Sequence, residues 1–175
     1  MKPIARLFAA FCLFLATAAC TGGEDVELLT LLPGDMVAPP FNLAAADGSR
    51  VRLSDYHGKP LIVNFWATWC PPCRAEMPSL QRAWEQLGPE GIGVVAVNVG
   101  EDADTINRFR EQSPVTFPLL MDLDSRVVDA WSVRGLPTTF VVDSEGQLTF
   151  VVTGEREWDN PTLLGLVQAL KGDAN

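Results

Sequence analysis

The stretch Leu61-Ile62-Val63-Asn64-Phe65-Trp66-Ala67-Thr68-Trp69-Cys70-Pro71-Pro72-Cys73-Arg74-Ala75-Glu76-Met77-Pro78 decides the reading of this chain. Its first six residues form an apolar, β-rich run, and a short loop then feeds a helix starting at Pro71 or Pro72. Leu80, Ala83, Trp84 and Leu87 recur at helical spacing and mark the buried face of that helix, expected to run to about Gln86. Two cysteines sit three positions apart at the junction. A strand-to-helix junction offers unpaired backbone N–H groups and the positive end of the helix dipole. Both favour a thiolate, so Cys70 is the expected nucleophile. Cys73, one turn further in, is near enough to close a disulfide with it.

Other uses of a Cys-x-x-Cys pair fit less well. A zinc site needs a second Cys or His pair. The chain has only His57 besides Cys12 and Cys20, both near the N-terminus. A structural bridge over so short a loop would constrain the unfolded chain little. Redox cycling is the remaining chemistry, and no metal or other cofactor is called for. His57 lies in the polar turn before Gly58 and reads as a turn residue rather than a catalytic base.

The N-terminus reads as an export signal. Lys2 and Arg6 form a basic start, Leu7 to Ala18 an apolar run too short to span a membrane comfortably, and small residues lead to Cys20. Residues 1–19 are therefore expected to be a signal peptide. The run Thr17-Ala18-Ala19-Cys20 is similar to a bacterial lipobox, whose cysteine is lipidated after cleavage, although Thr17 stands where leucine is usual. Ordinary cleavage leaving a soluble protein is the other reading. Export places the dithiol in an oxidising compartment, where it acts as a disulfide donor or is re-reduced by a partner. After the leader is removed only Cys20, Cys70 and Cys73 remain, so stability rests on a core rather than on bridges. A chain of 175 residues, 47% hydrophobic, can bury one.

The formal charge of the chain is −9. Without Lys2 and Arg6 it is −11, from 11 basic and 22 acidic residues. Such a surface disfavours nucleic acid, which is held through Lys and Arg on phosphates. It gives no attraction to anionic lipid either, so membrane attachment would rest on an acyl anchor at Cys20.

Residues 20–34 read as a tether, with Leu28 to Pro33 either free or docked, and residues 35–175 as one domain. Phe41-Asn42-Leu43 and Val51-Arg52-Leu53 alternate around Asp47-Gly48, a hairpin signal. Gly93 to Val99 reads as a strand buried on both faces, which with the preceding strand and helix makes a βαβ crossover and parallel pairing. A helix from about Asp104 and a strand over Phe117–Met121 follow, and then a short helix from Val127 to Trp131. Trp131-Ser132-Val133-Arg134-Gly135-Leu136-Pro137-Thr138 leads into a strand, and Leu148–Thr153 returns antiparallel to it. Asn160-Pro161 caps a last helix expected to reach Lys171. Pro78 is expected to kink the first helix.

Both informative stretches together resemble a thioredoxin-fold protein, and more narrowly the exported, membrane-anchored TlpA/ResA/CcmG (DsbE)-type thiol–disulfide oxidoreductases. The resemblance covers roughly Asp35 to Lys171. It implies an α/β thioredoxin fold: a central mixed β-sheet flanked by helices, with an N-terminal β-hairpin and an αβ insertion around Asp104 to Met121. It further implies that Cys70 attacks, Cys73 resolves, and the two form a disulfide. Pro137 would be a cis-proline facing that disulfide, with Leu136 pairing its backbone with an extended client segment. Glu76, three residues past Cys73, would be a buried carboxylate exchanging protons with Cys73; a solvated helix charge is the alternative. Trp66 and Trp69 are expected to serve packing, with Trp69 also shielding the disulfide and lining the client surface, while Trp84, Trp131 and Trp158 are core or surface packing.

The resemblance implies a reductant of client disulfides in apocytochrome c maturation or copper-site assembly, recharged by a membrane electron donor of the DsbD/CcdA type. Pro71 and Pro72 lack N–H groups, which limits thiolate stabilisation at Cys70 and favours a reductant over a strong oxidant. Two other functions are weighed against this one. A thioredoxin-like peroxiredoxin requires P-x-x-x-[TS]-x-x-C, but Val63 and Ala67 occupy the two diagnostic positions before Cys70. A non-catalytic copper-delivery module would want more His or Met ligands near Cys70 than the lone His57 offers.

Overall fold

A computed structural model describes residues 29–172. The expected signal peptide, Cys20 and the tether up to residue 28 lie outside the described residues. Twelve elements follow the chain: β1 (Leu29–Leu31), β2 (Asn42–Ala44), β3 (Arg50–Arg52), β4 (Leu61–Trp66), α1 (Pro71–Leu87), β5 (Gly93–Val99), α2 (Ala103–Gln112), β6 (Leu119–Asp122), α3 (Arg126–Ala130), β7 (Thr138–Val142), β8 (Leu148–Thr153) and α4 (Pro161–Gln168). Short 3-10 turns cover Leu53–Tyr56 and Gly88–Glu90.

The main sheet has the order β1-β8-β7-β4-β5-β6. β4, β5 and β6 are parallel, as the crossover through α1 requires, and β7, β8 and β1 alternate antiparallel. β2 and β3 form the expected hairpin, with Leu43 opposite Val51 and Gly48 supplying the positive φ of 87° in the turn. A bridge from Ala45 to Leu120 fastens this hairpin to β6. Part of the stretch read as a tether is in the sheet: Leu29–Leu31 pairs with Phe150–Val152 of β8. Of the two readings held open for this segment, docking is what the structure has for Leu29 to Leu32.

Central β4 is buried along its whole length, so its alternation is hidden from any polarity count but visible in its contacts. Leu61, Val63 and Phe65 join one core with Val95, Val97, Phe140, Val142 and Trp131. Ile62 and Trp66 face the other, among Leu80, Ala83 and Leu87 of α1 and Leu163 and Val167 of α4. Each such aliphatic side chain contributes about 1.5–3 kcal/mol by leaving water. Trp66 packs on Phe109 of α2 with ring centroids 4.7 Å apart, and Trp131 on Phe140 at 5.2 Å.

Pro78 lies inside α1 without ending it. A proline removes one hydrogen bond of a helix, and packing of the α1 face onto β4 holds the remainder. The other boundaries shift by a few residues: α1 starts at Pro71, one of the two expected starts, and ends one residue later than expected at Leu87, α3 runs Arg126–Ala130, and α4 stops at Gln168 rather than Lys171. Among the described residues, no helix is long and apolar enough to cross a membrane.

Candidate active site

Strand β4 ends at Trp66, and the loop Ala67-Thr68-Trp69 delivers Cys70 as the N-cap of α1. Cys70 and Cys73 are joined as a disulfide, with Cα atoms 5.3 Å apart. Pro71 and Pro72 occupy the first helical positions, where a backbone N–H has no helical acceptor, so their missing donors cost the helix nothing. The first available donor is the Cys73 N–H, which points at the Cys70 sulfur over 3.3 Å. That bond and the helix dipole both favour negative charge on Cys70. Cys70 is 4% exposed and Cys73 fully buried. The sulfur nearer solvent is thus the one at the helix opening.

A polar anchor with no local signal in the chain fixes the loop before Cys70. Glu101, just past β5, accepts from the Thr68 N–H at 2.7 Å and from the Thr68 hydroxyl, while Asn98 Nδ2 donates to it at 2.7 Å. Trp69, beside this anchor, is 66% exposed.

The Leu136–Pro137 peptide is cis. Gly135 O accepts from the Thr138 hydroxyl and Pro137 O from the Gly154 N–H, whereas the Leu136 N–H and C=O have no partner among the described residues. Trp69, Cys70 and Leu136 line one groove of about 480 Å³ with mostly apolar walls. Of the residues singled out in the sequence, these three come together here, with Pro137 next in the chain. His57 lies before β4 while Cys70 lies after it, so the strand separates the two.

Glu76 is fully buried, which removes the solvated-charge reading. Its neighbours form a polar cluster within the apolar layer between β4 and α1. Asn64 Nδ2 donates to Oε1 at 2.7 Å, while the Arg156 N–H at 3.2 Å and Trp158 Nε1 at 3.3 Å donate to Oε2. Asn64 also donates to the Thr139 hydroxyl at 2.9 Å. Burial pushes the Glu76 carboxyl up from 4.5 to about 7, against the pull of these donors towards the ionised form. Asn64 and Trp158 were missed as site residues. The signal for Asn64 was an amide within an otherwise apolar strand, on the α1-facing parity with Ile62 and Trp66. For Trp158 there was none, since it reaches Glu76 from 82 residues away.

A βαβ core with a dithiol at the helix opening and a cis-proline loop opposite defines a dithiol protein of the thioredoxin fold. Residues 34–151 match the AhpC/TSA family, and the chain belongs to that family. It is 43% identical over 117 residues to the thiol-disulfide oxidoreductase ResA of Bacillus subtilis, a match covering 67% of this chain and 65% of ResA. The chain thus matches just under two thirds of the length of that relative. A structure from Chlorobium tepidum, provisionally named a thiol:disulfide interchange protein DsbE, is 31% identical with a TM-score of 0.73, covering 81% of this chain and 99% of that one. A secreted Mycobacterium tuberculosis disulfide oxidoreductase is 27% identical with a TM-score of 0.65, covering 74% and 96%.

Proposed function

We propose that the chain is an exported thiol–disulfide oxidoreductase that reduces disulfides of client proteins. The observation that carries this reading is the Cys70–Cys73 pair at the start of α1, with the more accessible sulfur in a groove and the other buried. In the reduced protein the Cys70 thiolate attacks a client disulfide, forming a mixed disulfide and expelling one client thiolate, which takes a proton from water. Cys73 gives its proton to the Glu76 carboxylate and attacks the Cys70 sulfur. The second client thiolate leaves, so two electrons pass to the client and the Cys70–Cys73 disulfide closes. Leu136, with its backbone groups open beside Pro137, pairs with the client segment, and Trp69 covers the exchange site.

A dithiol donor at the membrane, of the DsbD or CcdA type, restores the reduced form. Apocytochrome c or copper-site proteins are the client classes, at the outer face of the cell membrane or in the periplasm, with Cys20 as lipid anchor. The secreted disulfide oxidoreductase of Mycobacterium tuberculosis among the structural neighbours supports a place outside the cytoplasm. Peroxide reduction is not favoured: Val63 and Ala67 are buried and carry no hydroxyl to hold a peroxide near Cys70.

Insulin reduction by the exported domain, fed by dithiothreitol, tests the activity. Turnover above the dithiothreitol background, lost in Cys70→Ser, is the expected result; no acceleration by the wild-type domain overturns it. In the native host a Cys73→Ala variant should hold clients as mixed disulfides with Cys70, and mass spectrometry of those adducts identifies them.

A further inference from the structure

Arg134 is an exposed cation that makes neither an ion pair nor a hydrogen bond among the described residues. It sits at the meeting of two grooves. One is the Cys70 groove; the other, about 540 Å³, runs over β7 and β8 beneath Leu32 and Met36, with Phe140 and Val151 in its floor. Arg134 and Gly135 line both. Among the described residues, neither lining contains an Asp or Glu, although acidic residues outnumber basic ones 22 to 13 in the chain. Among the described residues, Arg134 is the only charged side chain in either lining. Its guanidinium therefore offers a fork for a carboxylate, between apolar walls where such a pair is less screened than in open water.

The open N–H and C=O of Leu136 lie next to this junction, and unpaired backbone of that kind takes an added strand. The two features together call for an extended peptide rather than a small acid. We propose that Arg134 selects clients by charge: the client's disulfide enters the Cys70 groove, an apolar side chain nearby in its sequence fills the groove under Met36, and an Asp or Glu between them pairs with Arg134. This rests on the thiol–disulfide exchange proposed above and adds the kind of client segment that the site prefers.

The test uses two peptide sets differing only in one residue, Glu, Gln or Lys, between a cysteine and a leucine. In the first set the cysteine is replaced by serine, and fluorescence anisotropy reads binding to the oxidised protein without any chemistry. At about 0.15 M salt, where charges beyond roughly 8 Å are screened, the Glu peptide should bind about two- to fivefold tighter than the Lys peptide. Arg134→Glu should reverse that order. Met36→Glu, at a side chain 41% exposed, should weaken the Glu peptide more than the Lys peptide. Equal affinities, or a Glu preference that persists in Arg134→Gln, overturn the proposal.

The second set carries the cysteine as a mixed disulfide with a chromogenic thiol and reads turnover. Reduction without charge preference leaves the exchange activity standing and removes the role of Arg134. A Glu preference in binding with no turnover of any peptide keeps the role of Arg134 and removes the activity.

Discussion

Asn64 on β4 donates a 2.7 Å hydrogen bond to Glu76 on α1, and both side chains are wholly buried. The bond crosses the layer between the central strand and the helix that carries the two cysteines. An amide and a carboxylate are costly to place there without partners. Asn64 Nδ2, the Arg156 N–H and Trp158 Nε1 supply them to the carboxylate, and Glu76 and Thr139 take up the Asn64 Nδ2, while Asn64 Oδ1 has no partner among the described residues. Glu76 thus keeps a site one turn beyond Cys73 that an unpaired carboxylate could not hold.

A pH dependence of stability follows. The Glu76 carboxyl is raised from 4.5 to about 7 in the folded protein, chiefly by burial. Below pH 4.5 it is protonated folded or unfolded, and there is no penalty. Between 4.5 and about 7 the unfolded chain gives up its proton while the folded one retains it, so stability falls as pH rises, and above about 7 the loss is complete. At 1.36 kcal/mol per unit the loss is at most roughly 3 kcal/mol. Urea melts of the oxidised protein, in which the cysteines do not titrate, should show this decline, and Glu76→Gln should flatten it. An unchanged slope in Glu76→Gln would place the titrating group elsewhere.

Trp158→Phe keeps most of a buried ring and removes the indole N–H aimed at Glu76. That bond holds the ionised carboxylate, so Glu76 should titrate higher in the variant than in the wild type. The lost volume and hydrogen bond should together lower stability by about 1–3 kcal/mol. Carbon-detected NMR of the Glu76 carboxyl across pH 5 to 9 checks the direction. A titration matching that of wild type would mean the 3.3 Å contact carries no weight.

The dithiol and its helix were legible because their signal is local: a β-rich run, two cysteines at spacing three, and apolar positions at helical period. The hairpin and the strand after Pro137 were legible for the same reason, through alternation and turn residues. Pairing across distance was not. Trp158 and Glu101 reach the site region by tertiary packing alone, and a Trp or Glu in isolation carries no mark of its partner. Leu29–Leu31 was left open because three residues are too few to show a strand period, and its place at the edge of β8 depends on a sheet built later in the chain.

Gly93 shows how a close approach escapes the same reading. A Cβ there would meet the Tyr56 ring at 2.5–2.6 Å and a Leu61 methyl at 2.8 Å. The Tyr56 ring closes the lower edge of β4 and β5, and it fits because position 93 has no side chain. Gly93→Ala should therefore destabilise the protein by about 1–3 kcal/mol, as overpacking does, with Tyr56→Ala recovering part of the loss in the double variant. Urea midpoints of the three variants decide it; additive losses would show that the ring is not what the added methyl meets.

The proton path gives the last prediction. Cys73 is fully buried, so its thiol has no direct access to water, and Glu76 lies on the same helix face one turn on. As proton acceptor Glu76 works only when ionised, so closure of the Cys70–Cys73 disulfide should quicken as pH rises through about 7. Attack by Cys70 on the client precedes that transfer and should be indifferent to Glu76. In Glu76→Gln the mixed disulfide should therefore form at the wild-type rate and persist, with release slowed by about 10²-fold, the usual scale for loss of a general base. Acid quenching followed by mass spectrometry separates the two steps. If release in Glu76→Gln keeps the wild-type rate and inflection, Cys73 loses its proton by a route that does not pass through position 76.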